Sequence, residues 1–300
     1  MNSVQQVHIR EIQALEPSEA ISLSRIWNEL HPGNEVTAVQ FKGDLDRLLN
    51  GGGRAWILRY KSTVTGYASL APTPGLSGLY EMDGFIAAAY RRQGLASIFL
   101  RTITGQLANG AIRQIYHPVN STSSPAGQFL MKNGFIIEHE EQHLVLKDLG
   151  TLPQSHLGDR YSLRTYGIQR SIGLFRQLYD EAFKGLAWYQ PYESDLEVAR
   201  DLADADDLLF LTDGGQPVGF LWLRWPDQRT AEFEPLGLVP AYQGRGLGKQ
   251  LMLSGISYAI EQGAKRARVG VWRQNRPALA LYEGLGFVRR GQRIFLAHNV

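Results

Sequence analysis

Between residues 240 and 249 the chain reads Pro240-Ala241-Tyr242-Gln243-Gly244-Arg245-Gly246-Leu247-Gly248-Lys249. A strand-like apolar run ends just before it, near Val239. A run with helical spacing starts at Gly246, with Gly248, Met252, Ile256, Ala259 and Ile260 on one face. Glycines let a backbone approach a ligand closely. Free N–H groups at a helix start point outward and favour an anion. Arg245 and Lys249 add positive charge beside them. This pattern predicts a cradle for a phosphate or pyrophosphate; the alternative is a plain tight turn. It is not a P-loop, because no glycine opens the Gly-x-x-x-x-Gly-Lys spacing and Gln250 stands where a Ser or Thr would hold magnesium. The Gly-x-Gly-x-x-Gly order of a dinucleotide fingerprint is also absent. On the strand that feeds this loop, Glu232 and Glu234 lie two residues apart and so face the same side.

The surrounding elements must hold these groups in place. Residues 160–166 read as a strand and 171–183 as an amphipathic helix. Residues 207–225 read as two strands around Asp213-Gly214-Gly215, a strong hairpin signal. Residues 230–239 form a further strand and 246–262 a helix. Residues 266–272 are a strand, and 277–285 a helix stopped by Gly286. Residues 289–298 form the closing strand. Mixed strands and helices indicate an α/β or α+β fold.

The chain also repeats itself. Residues 89–100 match 241–252, and each stretch is followed at the same distance by a Gly-Phe pair, Gly134-Phe135 and Gly286-Phe287. Upstream, residues 64–70 match 217–223. An offset of about 150 residues means duplicated domains rather than a solenoid. The expected domains are residues 1–150 and 151–300, with the boundary in the turn-rich stretch 148–160.

The segment Gln243-Gly244-Arg245-Gly246-Leu247-Gly248 resembles the Gln/Arg-x-x-Gly-x-Gly/Ala motif of the GCN5-related N-acetyltransferase (GNAT) superfamily. Arg91-Arg92-Gln93-Gly94-Leu95-Ala96 is a second copy. The strand Leu236-Gly237-Leu238-Val239-Pro240 and the later Asn275-x-Pro277-Ala278, Leu281-Tyr282 and Gly286-Phe287 are also similar to that family. Tandem copies resemble the arrangement of mycothiol synthase-type acetyltransferases. The resemblance implies two tandem GNAT-like domains, each a mixed, mostly antiparallel sheet flanked by helices. Each sheet would open between its fourth and fifth strands, with acetyl-CoA in the opening.

Acetyl transfer to an amine makes three demands. The amine must be neutral, and a lysine-type amine of pKa about 10.4 is neutral in roughly one molecule in a thousand or fewer at pH 7. The developing oxyanion needs a donor, typically worth roughly 10²–10³ in rate. The leaving thiolate needs a proton, and acid–base assistance adds roughly 10²–10⁴. By resemblance, Glu232 is the base and Glu234 its reserve; either could instead bind the substrate amine. The Leu238 N–H is expected to hold the acetyl carbonyl, with Leu236 and Gly237 lining the pantetheine arm. Gln243, Gly244, Arg245, Gly246, Leu247, Gly248 and Lys249 are expected to hold the pyrophosphate. Tyr282 is expected to protonate the CoA sulfur. Asn275 is a helix N-cap, a pantetheine hydrogen-bonder, or both.

The first copy departs from this pattern. Aligned on its loop, Glu232 and Glu234 correspond to Tyr80 and Met82, while Glu81 and Asp83 have the opposite strand parity. Aligned on Gly-Phe, Tyr282 corresponds to Leu130. By resemblance that copy keeps the pattern of a CoA cradle in Arg91, Arg92, Gln93, Gly94, Leu95 and Ala96 and loses the acid–base apparatus; it would bind CoA without catalysis or serve only to shape the acceptor pocket. The expected working site is therefore in the second copy.

Bulk composition narrows the class. The 300 residues are 44% hydrophobic and 20% charged, enough to bury one or two cores. A net charge of +2 gives no global pull toward nucleic acid or an anionic membrane. Lys265-Arg266-Ala267-Arg268 reads as solvated surface. There is no cysteine, hence no disulfide, thiolate site or cysteine nucleophile. The seven histidines show no metal-ligand spacing, and no metal is expected. Without an apolar run of roughly 20 residues or a signal-peptide pattern, the expected location is the cytoplasm. Gly51-Gly52-Gly53 reads as a turn before a strand, and the aromatics of 185–194 as a substrate wall or loop packing. The leading expectation is an acetyl-CoA-dependent N-acetyltransferase acting on a small-molecule primary amine, as a monomer or homodimer. A peptide or protein N-acetyltransferase and a non-catalytic acyl-CoA-binding sensor are the alternatives.

Overall fold

The computed structural model describes residues 6–73, 76–108, 110–187, 189–192, 194–202 and 204–300. The chain forms two compact units. Unit 1 comprises residues 1–138 and 295–300, and unit 2 residues 139–294.

Unit 1 begins with β1 (Val7–Ile12), α1 (Pro17–Leu30), α2 (Ala38–Asn50), β2 (Arg54–Tyr60), β3 (Thr63–Pro72) and β4 (Leu79–Ile86). It continues with α3 (Leu95–Leu107), β5 (Gln114–Val119), α4 (Pro125–Lys132) and the start of β6 (Ile136–Leu146). Strands β1 to β4 pair antiparallel in sequence order, and β4 pairs parallel with β5. Local sequence starts the helices. Thr37 and Gln40 form a reciprocal capping box at α2, and Glu16 and Glu19 form another at α1.

Unit 2 contains β7 (Tyr161–Arg164), α5 (Ile168–Phe183), α6 (Asp195–Asp201), β8 (Leu208–Asp213), β9 (Gln216–Asp227) and β10 (Thr230–Leu238). It continues with α7 (Leu247–Glu261), β11 (Arg266–Trp272), α8 (Arg276–Gly284) and most of β12 (Val288–Asn299). The β8–β9 hairpin turns at Gly214 (φ +55°) and Gly215 (φ +89°), the left-handed pair that a tight two-residue hairpin requires. The two sheet faces divide the helices. On one face, Phe175 of α5 packs edge-on against Phe220 at 5.1 Å and Trp222 at 4.9 Å. On the other, Gly255 brings α7 so close that a Cβ there would stand 2.1 Å from Leu221. Phe175 is fully buried, and truncation to Ala should cost about 3–5 kcal/mol.

Two strands cross between the sequence copies and the units. Residues 139–146 of β6 pair antiparallel with β11 and bury Leu144 and Leu146 in the core of unit 2. The end of β12 lies next to β5 in unit 1, where the Val300 N–H donates to the Arg113 carbonyl at 3.1 Å. His298 there stacks on Phe135 at 5.2 Å. Among the described residues, no helix is long and apolar enough to cross a membrane.

Candidate active site

The site begins where β10 leaves β11. The two pair in parallel only at Thr230–Arg266, Ala231–Ala267 and Glu232–Arg268. Beyond Glu232, β10 keeps its partner β9 as far as Leu238, so an opening forms on the β11 side. The β9 pairing is itself irregular between Phe233 and Leu236, which takes Glu234 and Pro235 out of the ladder. Past that bulge, the Val239 N–H donates to the Val218 carbonyl at 3.0 Å. Antiparallel donors alternate in direction, so the Gly237 N–H turns to β9 and the Leu238 N–H turns to the opening. Gly237 is required here, since a Cβ would stand 2.5 Å from the Phe220 ring and 3.2 Å from that of Phe183.

The two carboxylates of β10 have different surroundings. Glu232, with 23% of its side chain exposed, is held by Arg268 through a 2.8 Å ion pair. Glu234 lies in the opening against Gly270. Burial pushes the Glu234 carboxyl up to about 8, with further upward pushes from Glu141 and Glu232; Arg224 and the Gly270 N–H act the other way. Tyr282 on α8 is buried, with its ring 5.7 Å from that of Phe287. Burial, and then the charge of Glu234, push its hydroxyl well above the usual phenol range. That hydroxyl has no hydrogen-bond partner among the described residues. Tyr179 on α5 is pushed up to about 12, mainly by burial, and also feels Glu234. Glu234 therefore links Glu232 and Tyr282 in unit 2, with Arg268, Gly270 and Glu141 added to the residues singled out in the sequence.

The loop 240–249 follows from the same strand. Gln243 Nε2 donates to the Leu238 carbonyl at 2.8 Å and ties the loop to the strand end. Gly244 (φ +71°) and Gly246 (φ +78°) are left-handed, and a Cβ at either would meet nothing within 4 Å. The N–H groups of Gly244, Arg245, Gly246, Leu247 and Gly248 have no acceptor among the described residues. Open space, unpaired donors, the start of α7, Arg245 and Lys249 together fit an anion of pyrophosphate type. Arg245 lies over the Tyr242 ring at 5.4 Å, and Tyr242 is anchored to Asp213 at 2.8 Å. Asn275 Oδ1 accepts from the Ala278 N–H at 3.2 Å and caps α8.

The first copy builds the same loop with different residues. Arg91 Nε donates to the Ile86 carbonyl at 3.0 Å, as Gln243 does to Leu238. Arg92 takes the left-handed position of Gly244 at φ +61°, and Gly94 that of Gly246 at φ +79°. Leu130 is buried. One sequence alignment is corrected. The parallel pairing of β4 with β5 stops at Glu81–Tyr116, as that of β10 with β11 stops at Glu232–Arg268. Glu81, not Tyr80, is therefore the counterpart of Glu232, and Tyr116 Oη lies 3.4 Å from Glu81 Oε2. Counting back from the loop missed this because β3 and β4 pair without the bulge that adds a residue to β10. Across the unit 1 opening, His117 Nδ1 lies 2.7 Å from the Met82 carbonyl.

Of the aromatics in 185–194, Tyr189 hydrogen-bonds Asp180 at 2.7 Å, and Tyr192 packs on Phe175 at 5.4 Å and Tyr179 at 5.2 Å. Trp188 and Glu193 lie outside the described residues. Among the described residues, no group of three or more His, Cys, Asp or Glu side chains could hold a metal ion.

The model of the Acetyltransferase (GNAT) family matches the chain twice, at residues 20–135 and 174–287. The chain belongs to this family, in a tandem form, and is an acetyl-CoA-dependent N-acetyltransferase. It is 30% identical over 237 residues to a mycothiol acetyltransferase of Salinispora tropica, covering 76% of this chain and 75% of that one. To the mycothiol acetyltransferase of Amycolatopsis mediterranei it is 28% identical over 258 residues, covering 79% and 82%. Among solved structures, a tandem GNAT protein from the clavulanic acid biosynthesis pathway superposes with a TM-score of 0.66 at 16% identity, covering 98% of each chain. A GCN5-related N-acetyltransferase from Sphaerobacter thermophilus does so at 0.69 and 15% identity, covering 98% of this chain and 95% of that one.

Proposed function

We propose that unit 2 moves an acetyl group from acetyl-CoA to the primary amine of a small molecule by direct attack on the thioester. The observation that carries this is the forked strand end, where two carboxylates stand in unlike surroundings and Glu234 acts on the buried Tyr282, whose hydroxyl is unpartnered among the described residues. Glu232, held by Arg268 at 2.8 Å, takes the proton of the attacking amine. Glu234, protonated at neutral pH, is the poorer base there. The Leu238 N–H donates to the acetyl oxygen as charge develops on it. Tyr282, held protonated by burial, gives its proton to the leaving sulfur. The free N–H groups of 244–248, with Arg245 and Lys249, bind the pyrophosphate; Leu236, Gly237 and Asn275 line the arm beside it. The mycothiol acetyltransferases among its relatives support a small-molecule acceptor.

The test is kcat/KM for Glu232→Gln and Tyr282→Phe over acceptors of graded amine pKa. Glu232→Gln should lose most with the most basic amines, because these most need a proton removed. Tyr282→Phe should lose a similar factor with all of them, since its role follows the sulfur. Wild-type rates in Tyr282→Phe would make that residue core packing only. A Glu232→Gln defect independent of amine basicity would make Glu232 a substrate binder.

A further inference from the structure

Strand β6 belongs in sequence to the first copy, yet its residues 139–146 belong to unit 2 and pair there with β11. The register places His143 opposite Gly270 and Glu141 opposite Trp272. Residues directly opposite on paired strands share a face. Gly270 identifies that face, because the carboxylate of Glu234 fills the space where its side chain would be. Glu141, His143, Arg268 and Trp272 therefore stand on the same side as Glu234. Glu141 is also the strongest single charge acting on Glu234. Unlike Glu232, Glu141 has no lysine or arginine partner among the described residues. Its one ion-pair neighbour there is His143, with Nε2 at 3.8 Å, and that Nε2 has no hydrogen-bond partner. The site thus keeps one carboxylate uncompensated by a fixed cation and one imidazole nitrogen unused. An amine of pKa about 10 arrives almost wholly as ammonium and needs an anion to dock on before it is deprotonated.

We propose that Glu141 and His143 bind the acceptor: Glu141 receives its ammonium group, and His143 Nε2 hydrogen-bonds an oxygen close to that amine. The acceptor class is a primary amine carrying a hydroxyl or carbonyl nearby. This inference rests on the transfer reaction proposed above, and it makes the first sequence copy a supplier of acceptor-binding residues to the second.

The test uses the full chain at saturating acetyl-CoA, following CoA release with three probe amines: glucosamine, glycinamide and propylamine. Glu141→Gln should raise KM about tenfold or more for all three, a loss of about 1.4 kcal/mol in binding. Its kcat and its KM for acetyl-CoA should stay close to wild type, and Glu141→Asp should restore part of the loss. His143→Ala should raise KM for glucosamine and glycinamide and spare propylamine. Equal amine KM in wild type and Glu141→Gln overturns this inference alone. No transfer by the wild type to any amine contradicts the proposed function instead. Calorimetry of glucosamine with the CoA-bound protein then decides: weaker binding in Glu141→Gln upholds the role, while equal or absent binding overturns it.

Discussion

The carboxylate of Glu234 lies over Gly270, so that a Cβ at the glycine would stand 2.7 Å from Oε2 and 3.4 Å from both the carboxyl carbon and Oε1. The glycine gives a half-buried carboxyl its place in the opening between β10 and β11. Gly270→Ala should therefore act on the site and not on the fold, because what must yield is the end of a flexible side chain. We expect kcat to fall about tenfold, or about 1.4 kcal/mol of barrier, with acetyl-CoA affinity retained. Gly173→Ala in α5 is the control. A Cβ there meets nothing within 4 Å, and the change should stabilise the helix by about 0.5–1 kcal/mol without touching turnover. Urea unfolding and steady-state rates on both variants check the pair of outcomes.

Glu234 should also mark the pH dependence of stability. Its folded-state value is raised from 4.5 to about 8, mainly by burial. Between those values the folded protein holds a proton that the unfolded chain has released, so this group makes stability fall as pH rises through the window. Below it, both states are protonated and the group has no effect. Glu234→Gln removes the titration. Unfolding free energies at pH 5 and pH 8 should show the variant gaining on the wild type at the higher pH. A constant difference between the two proteins across that range would contradict the assignment.

Arg268 holds Glu232 at 2.8 Å, with 43% of its own side chain exposed. Exposure on that scale limits the pair's worth to stability to about 1 kcal/mol or less. Its worth to turnover is larger if the guanidinium orients the base. Arg268→Met should lower kcat, and the double variant with Glu232→Gln should be scarcely worse than Glu232→Gln alone, because both changes remove one function. Fully additive losses would separate the two residues.

Much of unit 2 was legible because its signals are local. The Asp213-Gly214-Gly215 turn, the alternation in 207–225 and the glycine stop at Gly286 each act within a few residues, and each element formed where its pattern placed it. The loop was readable for the same reason. Non-local pairing hid the rest. Glu141 and His143 reach the site only because β6 pairs with β11, more than 100 residues later, a register that the sequence pattern does not encode. Arg268 read as part of a surface cluster, although strand alternation from Arg266 would have put it on one face with Gly270 and Trp272. The bulge at Glu234 and Pro235 shifted the count between copies and concealed Glu81 as the counterpart of Glu232.

Single-turnover acetyl transfer in Gly246→Val and Gly94→Val decides whether chemistry occurs in unit 2 on the cradle of 243–249. Both glycines have φ near +80° and open space around them, so a side chain at either strains its loop equally. Circular dichroism first confirms that each variant is folded. Gly246→Val should weaken productive acetyl-CoA binding at least about tenfold, or about 1.4 kcal/mol, while Gly94→Val should transfer at close to the wild-type rate. Abolished transfer in Gly94→Val alongside normal transfer in Gly246→Val would place the active site in the other unit.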